Sequence, residues 1–142
     1  MNAITDSQTN LSEAELTALG VRAFRGLGLT QQDAGDVCRI LVQADLFGLS
    51  THGMSRIESY GERLLVGGIN PRPNITLERV APALMKIDGD NGIGPLVGMR
   101  SLEAAMELAR EYGVGIALAR GSNPYPILAS KFHRCFKAAH TH

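Results

Sequence analysis

The chain has 142 residues, and 14 lysines and arginines balance 14 aspartates and glutamates, so its formal charge is zero. That balance leaves no basic footprint for nucleic acid or for an anionic membrane. No apolar run approaches the roughly 18 residues of a spanning helix, and no charged start leads into a signal-type apolar stretch, so neither is predicted and the cytoplasm is the expected compartment. Two cysteines, Cys38 and Cys135, are too few for a disulfide framework, and one buried and one free thiol are expected.

Residues 1–10 are polar and should fray. Ser12-Glu13-Ala14-Glu15 then reads as a capping box, with Leu11 and Leu16 placed for a hydrophobic staple. A first helix follows to about Leu27, its apolar side carried by Leu16, Leu19, Ala23 and Leu27. A second opens at Thr30, with Asp33 in its first turn, and continues through Val37, Cys38, Leu41 and Ala44 to Gly48. A third is predicted to be capped by Ser50 or Thr51, to turn Met54, Ile57, Gly61 and Leu64 inward, and to stop at Gly67-Gly68. Pro71 and Pro73 make the next segment an extended connector.

Beyond it the period changes. Residues 75–80 and 83–88 alternate and are separated by Ala81-Pro82, so two strands joined by a turn are predicted. A helix with Leu102, Ala105, Met106 and Ala109 on one face ends at Gly113, and Val114 to Ala119 is a continuous apolar run typical of a strand buried on both sides. Strand, helix and strand make a βαβ unit. The expected fold class is α/β: an amino-terminal three-helix subdomain over residues 1–70, the beginning of a mixed sheet domain over 71–123, and a divergent, poorly ordered tail over 124–142.

The third helix carries the chemistry. At about 100° per residue, His52, Arg56, Tyr60 and Arg63 line up opposite the apolar positions, at the end where free N–H groups and the macrodipole favour a carboxylate. An imidazole titrates near neutral pH and exchanges protons readily, while a guanidinium holds a carboxylate in a two-pronged fashion. The stripe therefore suits a small 2-oxo or 2-hydroxy acid, against the plainer reading of a solvated helix face. Three other motifs compete. Gly92-Ile93-Gly94-Pro95-Leu96-Val97-Gly98, between a strand and a helix, approaches the dinucleotide fingerprint, with Arg120 in reach of a 2′-phosphate; Pro95 removes an N–H from the turn, and close packing explains the glycines equally well. His133, Cys135, His140 and His142 are metal-capable but lack the spacing of a paired framework, so no metal site is assigned. Asp88 and Asp90 fit a turn with Asn91-Gly92 better than a pair of acid/base carboxylates.

The segment Asp45-Leu46-Phe47-Gly48-Leu49-Ser50-Thr51-His52-Gly53-Met54-Ser55-Arg56, followed by Tyr60 and Gly67-Gly68-Ile69-Asn70-Pro71, resembles the hallmark of the malate/L-lactate dehydrogenase family of nicotinamide-dependent oxidoreductases. Only Thr51 departs from the family's serine, and it keeps the hydroxyl. Asp88-Gly89-Asp90-Asn91-Gly92-Ile93-Gly94 and the run from Gly113 to Asn123 continue the resemblance, which is then read as stopping at Pro124-Tyr125-Pro126.

The resemblance implies interconversion of a 2-hydroxy and a 2-oxo acid by hydride exchange with NAD or NADP. His52 would be the proton donor and acceptor, Thr51 would hydrogen-bond the substrate or orient His52, Arg56 would hold the carboxylate and Tyr60 would line the pocket, with Ser122 and Asn123 the candidate cofactor contacts. A homodimer is implied for the complete protein. Because members are more than twice this long, the chain is expected to be an amino-terminal fragment, truncated and inactive alone. The alternative is a non-enzymatic helical interaction module or a degraded paralogue.

Overall fold

A computed structural model describes residues 10–123. The expectations for residues 1–9 and for the tail, including His133, Cys135, His140 and His142, lie outside the described residues.

Helix α1 spans Glu13–Gly26, and the capping box forms: the Ser12 hydroxyl accepts the Glu15 N–H while the Glu15 carboxylate accepts the Ser12 N–H at 2.9 Å. This accounts for two of the N–H groups that a helix start leaves without partners, and the Ser12 bonds hold the Glu15 carboxyl below its ordinary range. Helix α2, Gln31–Leu46, is capped by Thr30, whose hydroxyl accepts the Asp33 N–H at 3.1 Å. A 3-10 turn, Ser50–His52, leads to α3, Arg56–Leu65. The connector then runs to strand β1, Thr76–Ala81, which pairs antiparallel with β2, Leu84–Gly92. Helix α4, Gly94–Tyr112, returns the chain so that β3, Ile116–Ser122, lies parallel to β2, giving the order β1-β2-β3 and the expected βαβ unit.

The main core gathers Phe24 from α1, Val37, Cys38 and Leu41 from α2, Tyr60 and Leu64 from α3, Ile69 from the connector, and Leu96 and Met99 from α4. A smaller core forms under the sheet from Ile87, Val97 and Ala104, with Met85 and Ala117 against it. Helix α4 thus serves both layers, with Leu96 and Met99 turned to the helices and Val97 and Ala104 to the sheet. Burial pushes the Cys38 thiol up to about 11, so this cysteine is a small core residue and a poor nucleophile.

Two expectations change. In α4 the fully buried stripe is Val97, Ser101, Ala104 and Leu108, while Leu102, Ala105, Met106 and Ala109 are only partly buried. Ser101 can sit inside because its hydroxyl donates to the Val97 carbonyl at 2.8 Å, satisfying itself within the helix. Strand β3 is not buried on both sides: Ile116 and Leu118 are 50% and 60% exposed, because β3 is the last strand of the sheet and α4 covers only the face that carries Ala117.

Candidate active site

The segment between α2 and α3 decides where the proton-bearing side chain stands. The sequence reading places His52 in the first turn of α3; the structure places it in the separate 3-10 turn, and α3 begins only at Arg56. Gly53 interrupts the helix with φ −92° and ψ −146°. Neither Ser50 nor Thr51 caps α3. The Ser50 carbonyl instead accepts the Ser55 hydroxyl at 2.7 Å, and Met54 N–H goes to the Asp45 carboxylate at 2.8 Å. Arg56 N–H and Ile57 N–H are also taken, by the Gly53 and Met54 carbonyls. These three amides cannot then receive an anion, so a carboxylate ligand would rest on the guanidinium.

Three of the predicted side chains come together here. Thr51 Oγ1 lies 2.9 Å from His52 Nδ1, and Arg56 Nε donates to the Thr51 carbonyl at 2.8 Å, folding the guanidinium back over the turn that bears the imidazole. A hydroxyl can accept from Nδ1–H, so Thr51 can hold the ring with Nε2 left as the atom that gives or takes a proton. His52 and Arg56 are half-buried and Thr51 is exposed. Among the described residues Arg56 makes no ion pair, although Glu58 and Glu62 share its groove along α3 with Thr51, Ser55 and Ser59.

Tyr60 does not join them. It is 4% exposed, with its ring centroid 6.5 Å from that of Phe24, on the inward stripe of Ile57, Gly61 and Leu64 rather than beside Arg56. Three residues after Ile57 and four before Leu64, it falls within about 60° of both. Arg63 does face outward, and donates to Asn123 Oδ1 at 3.0 Å.

Asn123 also donates to the Gly68 carbonyl at 2.9 Å, and Ser122 Oγ bonds the Asn123 carbonyl. Of these two candidate cofactor contacts, Asn123 therefore ties α3 and its following loop to the end of β3, while Ser122 bonds its own neighbour. Asp88 and Asp90 serve the β2 turn. Asp88 accepts Asp90 N–H and both Nε and Nη2 of Arg120, and these contacts hold its carboxyl below the usual carboxylate range. Asp90 accepts Asn70 Nδ2 and Asn74 N–H, both at 2.9 Å.

The dinucleotide-like turn fails a direct test of fit. Gly94, Pro95 and Leu96 are buried, and Pro95 occupies the first turn of α4, so the helix start offers neither access nor a full set of N–H groups. A Cβ on Gly92 would meet Pro73 Cγ at 2.8 Å and the Gly89 carbonyl at 2.9 Å, which makes this a packing glycine. Arg120 is engaged by Asp88. No nicotinamide site is assigned to this turn. Among the described residues no group of three or more His, Cys, Asp or Glu side chains is placed to hold a metal, and no helix is long and apolar enough to cross a membrane.

A loop histidine backed by a hydroxyl thus stands beside a guanidinium, on a helical layer that leads into a βαβ sheet. Residues 11–139 match the malate/L-lactate dehydrogenase family, and the chain belongs to it. The matched range passes Asn123, so the likeness continues beyond the point where the motifs cease to be legible. The chain is 37% identical over 124 residues to the malate dehydrogenase of Pyrococcus horikoshii, covering 87% of this chain and 34% of that protein. It is 36% identical over 107 residues to the L-sulfolactate dehydrogenase of Methanocaldococcus jannaschii, covering 75% and 31%. The ureidoglycolate dehydrogenase (NAD(+)) of Escherichia coli is 35% identical over 89 residues, 63% of this chain and 26% of that one. The solved structure of the Pyrococcus horikoshii enzyme superposes with a TM-score of 0.88 and 33% identity over 97% of this chain and 40% of its own. The chain spans about a third of the length of the curated relatives it matches.

Proposed function

We propose that residues 10–123 form the proton-transfer and carboxylate-binding part of an NAD(P)-dependent dehydrogenase that interconverts a 2-hydroxy acid and a 2-oxo acid. The observation that carries this reading is the hydrogen-bonded cluster of Thr51, His52 and Arg56. Malate and sulfolactate, named for two relatives, share a carboxylate on the carbon that bears the hydroxyl. The Arg56 guanidinium keeps its Nη donors for that carboxylate, because Nε is already spent on the Thr51 carbonyl. His52 Nε2 then gives a proton to the oxo oxygen in reduction and takes it from the hydroxyl in oxidation, while Thr51 steadies Nδ1. The redox partner is a nicotinamide, assigned to the part of the relatives' length that this chain does not span. Exposed Val114, Ile116 and Leu118 support a covered sheet face in the complete protein, and a homodimer is proposed on the same ground.

The test is a chimaera in which residues 10–123 replace the matching segment of the Pyrococcus horikoshii malate dehydrogenase. The expected result is malate oxidation with a nicotinamide cofactor. His52→Ala should lower kcat by ~10²–10⁴-fold, and Arg56→Lys should act mainly on KM, because an ammonium cannot reproduce the guanidinium fork. An active chimaera whose His52→Ala variant equals its parent removes His52 from the reaction.

A further inference from the structure

The His52 segment is a short loop whose two ends are held by two consecutive residues at the close of α2. On one side Leu49 N–H donates to the Ala44 carbonyl at 2.9 Å; on the other Met54 N–H donates to Asp45 Oδ2 at 2.8 Å. Inside this span His52 N–H closes onto the Leu49 carbonyl at 2.9 Å, and Gly53 N–H onto the Ser50 carbonyl at 3.2 Å. The Asp45 carboxylate also fills the space in which any side chain on Gly53 would have to begin, so that a Cβ there would collide with both carboxylate oxygens. Gly53 is buried and Asp45 half-buried, so the contact is partly shielded from water. Met54, next in the chain, is anchored in the main core.

We propose that Asp45 and Gly53 are a positioning pair for His52: the carboxylate, seated between the Met54 N–H and the bare Cα of Gly53, fixes the backbone direction on the far side of the imidazole. The inference rests on the proton-transfer role proposed for His52, and it assigns functional weight to two residues that need touch no substrate. A carboxylate is suited to the place. Its bond to a backbone N–H just ahead of α3 is charge-assisted and lies at the positive end of the helix. Asparagine keeps one acceptor oxygen at the same reach; alanine keeps none. A residue larger than glycine at 53 displaces the carboxylate or the loop. Because Thr51 Oγ1 reaches Nδ1 only while the loop holds its course, the ring should report any loosening.

The experiment uses the 142-residue chain with ¹⁵N-labelled histidine, reading the His52 ring signals at fixed pH in the parent and in Asp45→Ala, Asp45→Asn and Gly53→Ala. Methyl signals of Ile87 and Val97 under the sheet serve as the check that the chain is folded. Asp45→Ala and Gly53→Ala are expected to shift the His52 ring signals while those methyls stay in place, and Asp45→Asn to remain nearer the parent. In the Asp45→Ala/Gly53→Ala double variant the two shifts should fall short of additive, since alanine at 45 makes room for the new Cβ. Unchanged His52 signals in folded Asp45→Ala and Gly53→Ala chains overturn the proposal; if Asp45→Ala fails to fold, Gly53→Ala decides it in the same way. In the chimaera, Asp45→Ala should lower kcat by ~10–10²-fold, the order expected for a displaced catalytic group, with a smaller change in KM. An inactive chimaera together with responsive His52 signals sinks the dehydrogenase reading alone, and an active one with indifferent His52 signals sinks the positioning pair alone.

Discussion

Replacing Tyr60 by alanine separates two roles that the sequence leaves open. If Tyr60 lined a substrate pocket, its loss would weaken binding and leave the fold almost intact. The structure places the ring in the main core, 4% exposed and tilted at 52° to Phe24, so its removal should act on stability first. Truncation of a buried aromatic side chain costs about 3–5 kcal/mol when the site cannot collapse, of which the ring pair itself accounts for about 0.5–1.5 kcal/mol. Against a typical domain stability of about 5–15 kcal/mol, this is a loss of a fifth or more, a shift of ~10²–10⁴ in the unfolding equilibrium. Leu65→Ala is the control: the side chain is 78% exposed in the same helix, and its truncation should stay within about 0.5 kcal/mol. The chain has no tryptophan, so urea unfolding is best followed by circular dichroism, with extrapolation to water. Equal stabilities for Tyr60→Ala and Leu65→Ala would refute the packing argument and return Tyr60 to the surface.

Two more outcomes follow from the sheet. Asp88 is held below the usual carboxylate range by the Asp90 N–H and then by Arg120, so its contacts favour the folded state above the ordinary value near 4 and this contribution is lost as pH falls through the lower folded-state value. Asp88→Asn should therefore melt below the parent at pH 7, by a margin that narrows as the pH is lowered into the acid range; a margin independent of pH would discard the linkage. On the uncovered sheet face, Leu118→Lys should raise the concentration at which the chain self-associates, as measured by light scattering, and an unchanged concentration dependence would show that this face is not where copies meet.

The features that were legible in the sequence depend on partners a few residues apart. Ser12 with Glu15 and Thr30 with Asp33 set two helix starts within a single turn each, and the structure keeps both. The cluster of Thr51, His52 and Arg56 fits within six residues, so its composition could be read before its geometry was known. The strand, helix and strand of the βαβ unit came from changes of period that need no knowledge of neighbours. What the sequence could not decide was which surfaces another element would cover. Tyr60 points inward because Phe24 of α1 is there to receive it, and Ser101 is buried because α4 lies against other elements on that side while its hydroxyl bonds within the helix. Asp45 reaches Met54 across a loop whose spacing matches no capping motif, and α3 starts without the side-chain cap that Ser50 and Thr51 suggested. Strand β3 has the composition of an interior strand but an edge strand's exposure, since burial belongs to the assembled layers and not to the run of apolar residues itself. Local hydrogen bonding is written in adjacent residues; the direction a side chain faces is settled only when distant parts of the chain compete to exclude water from it.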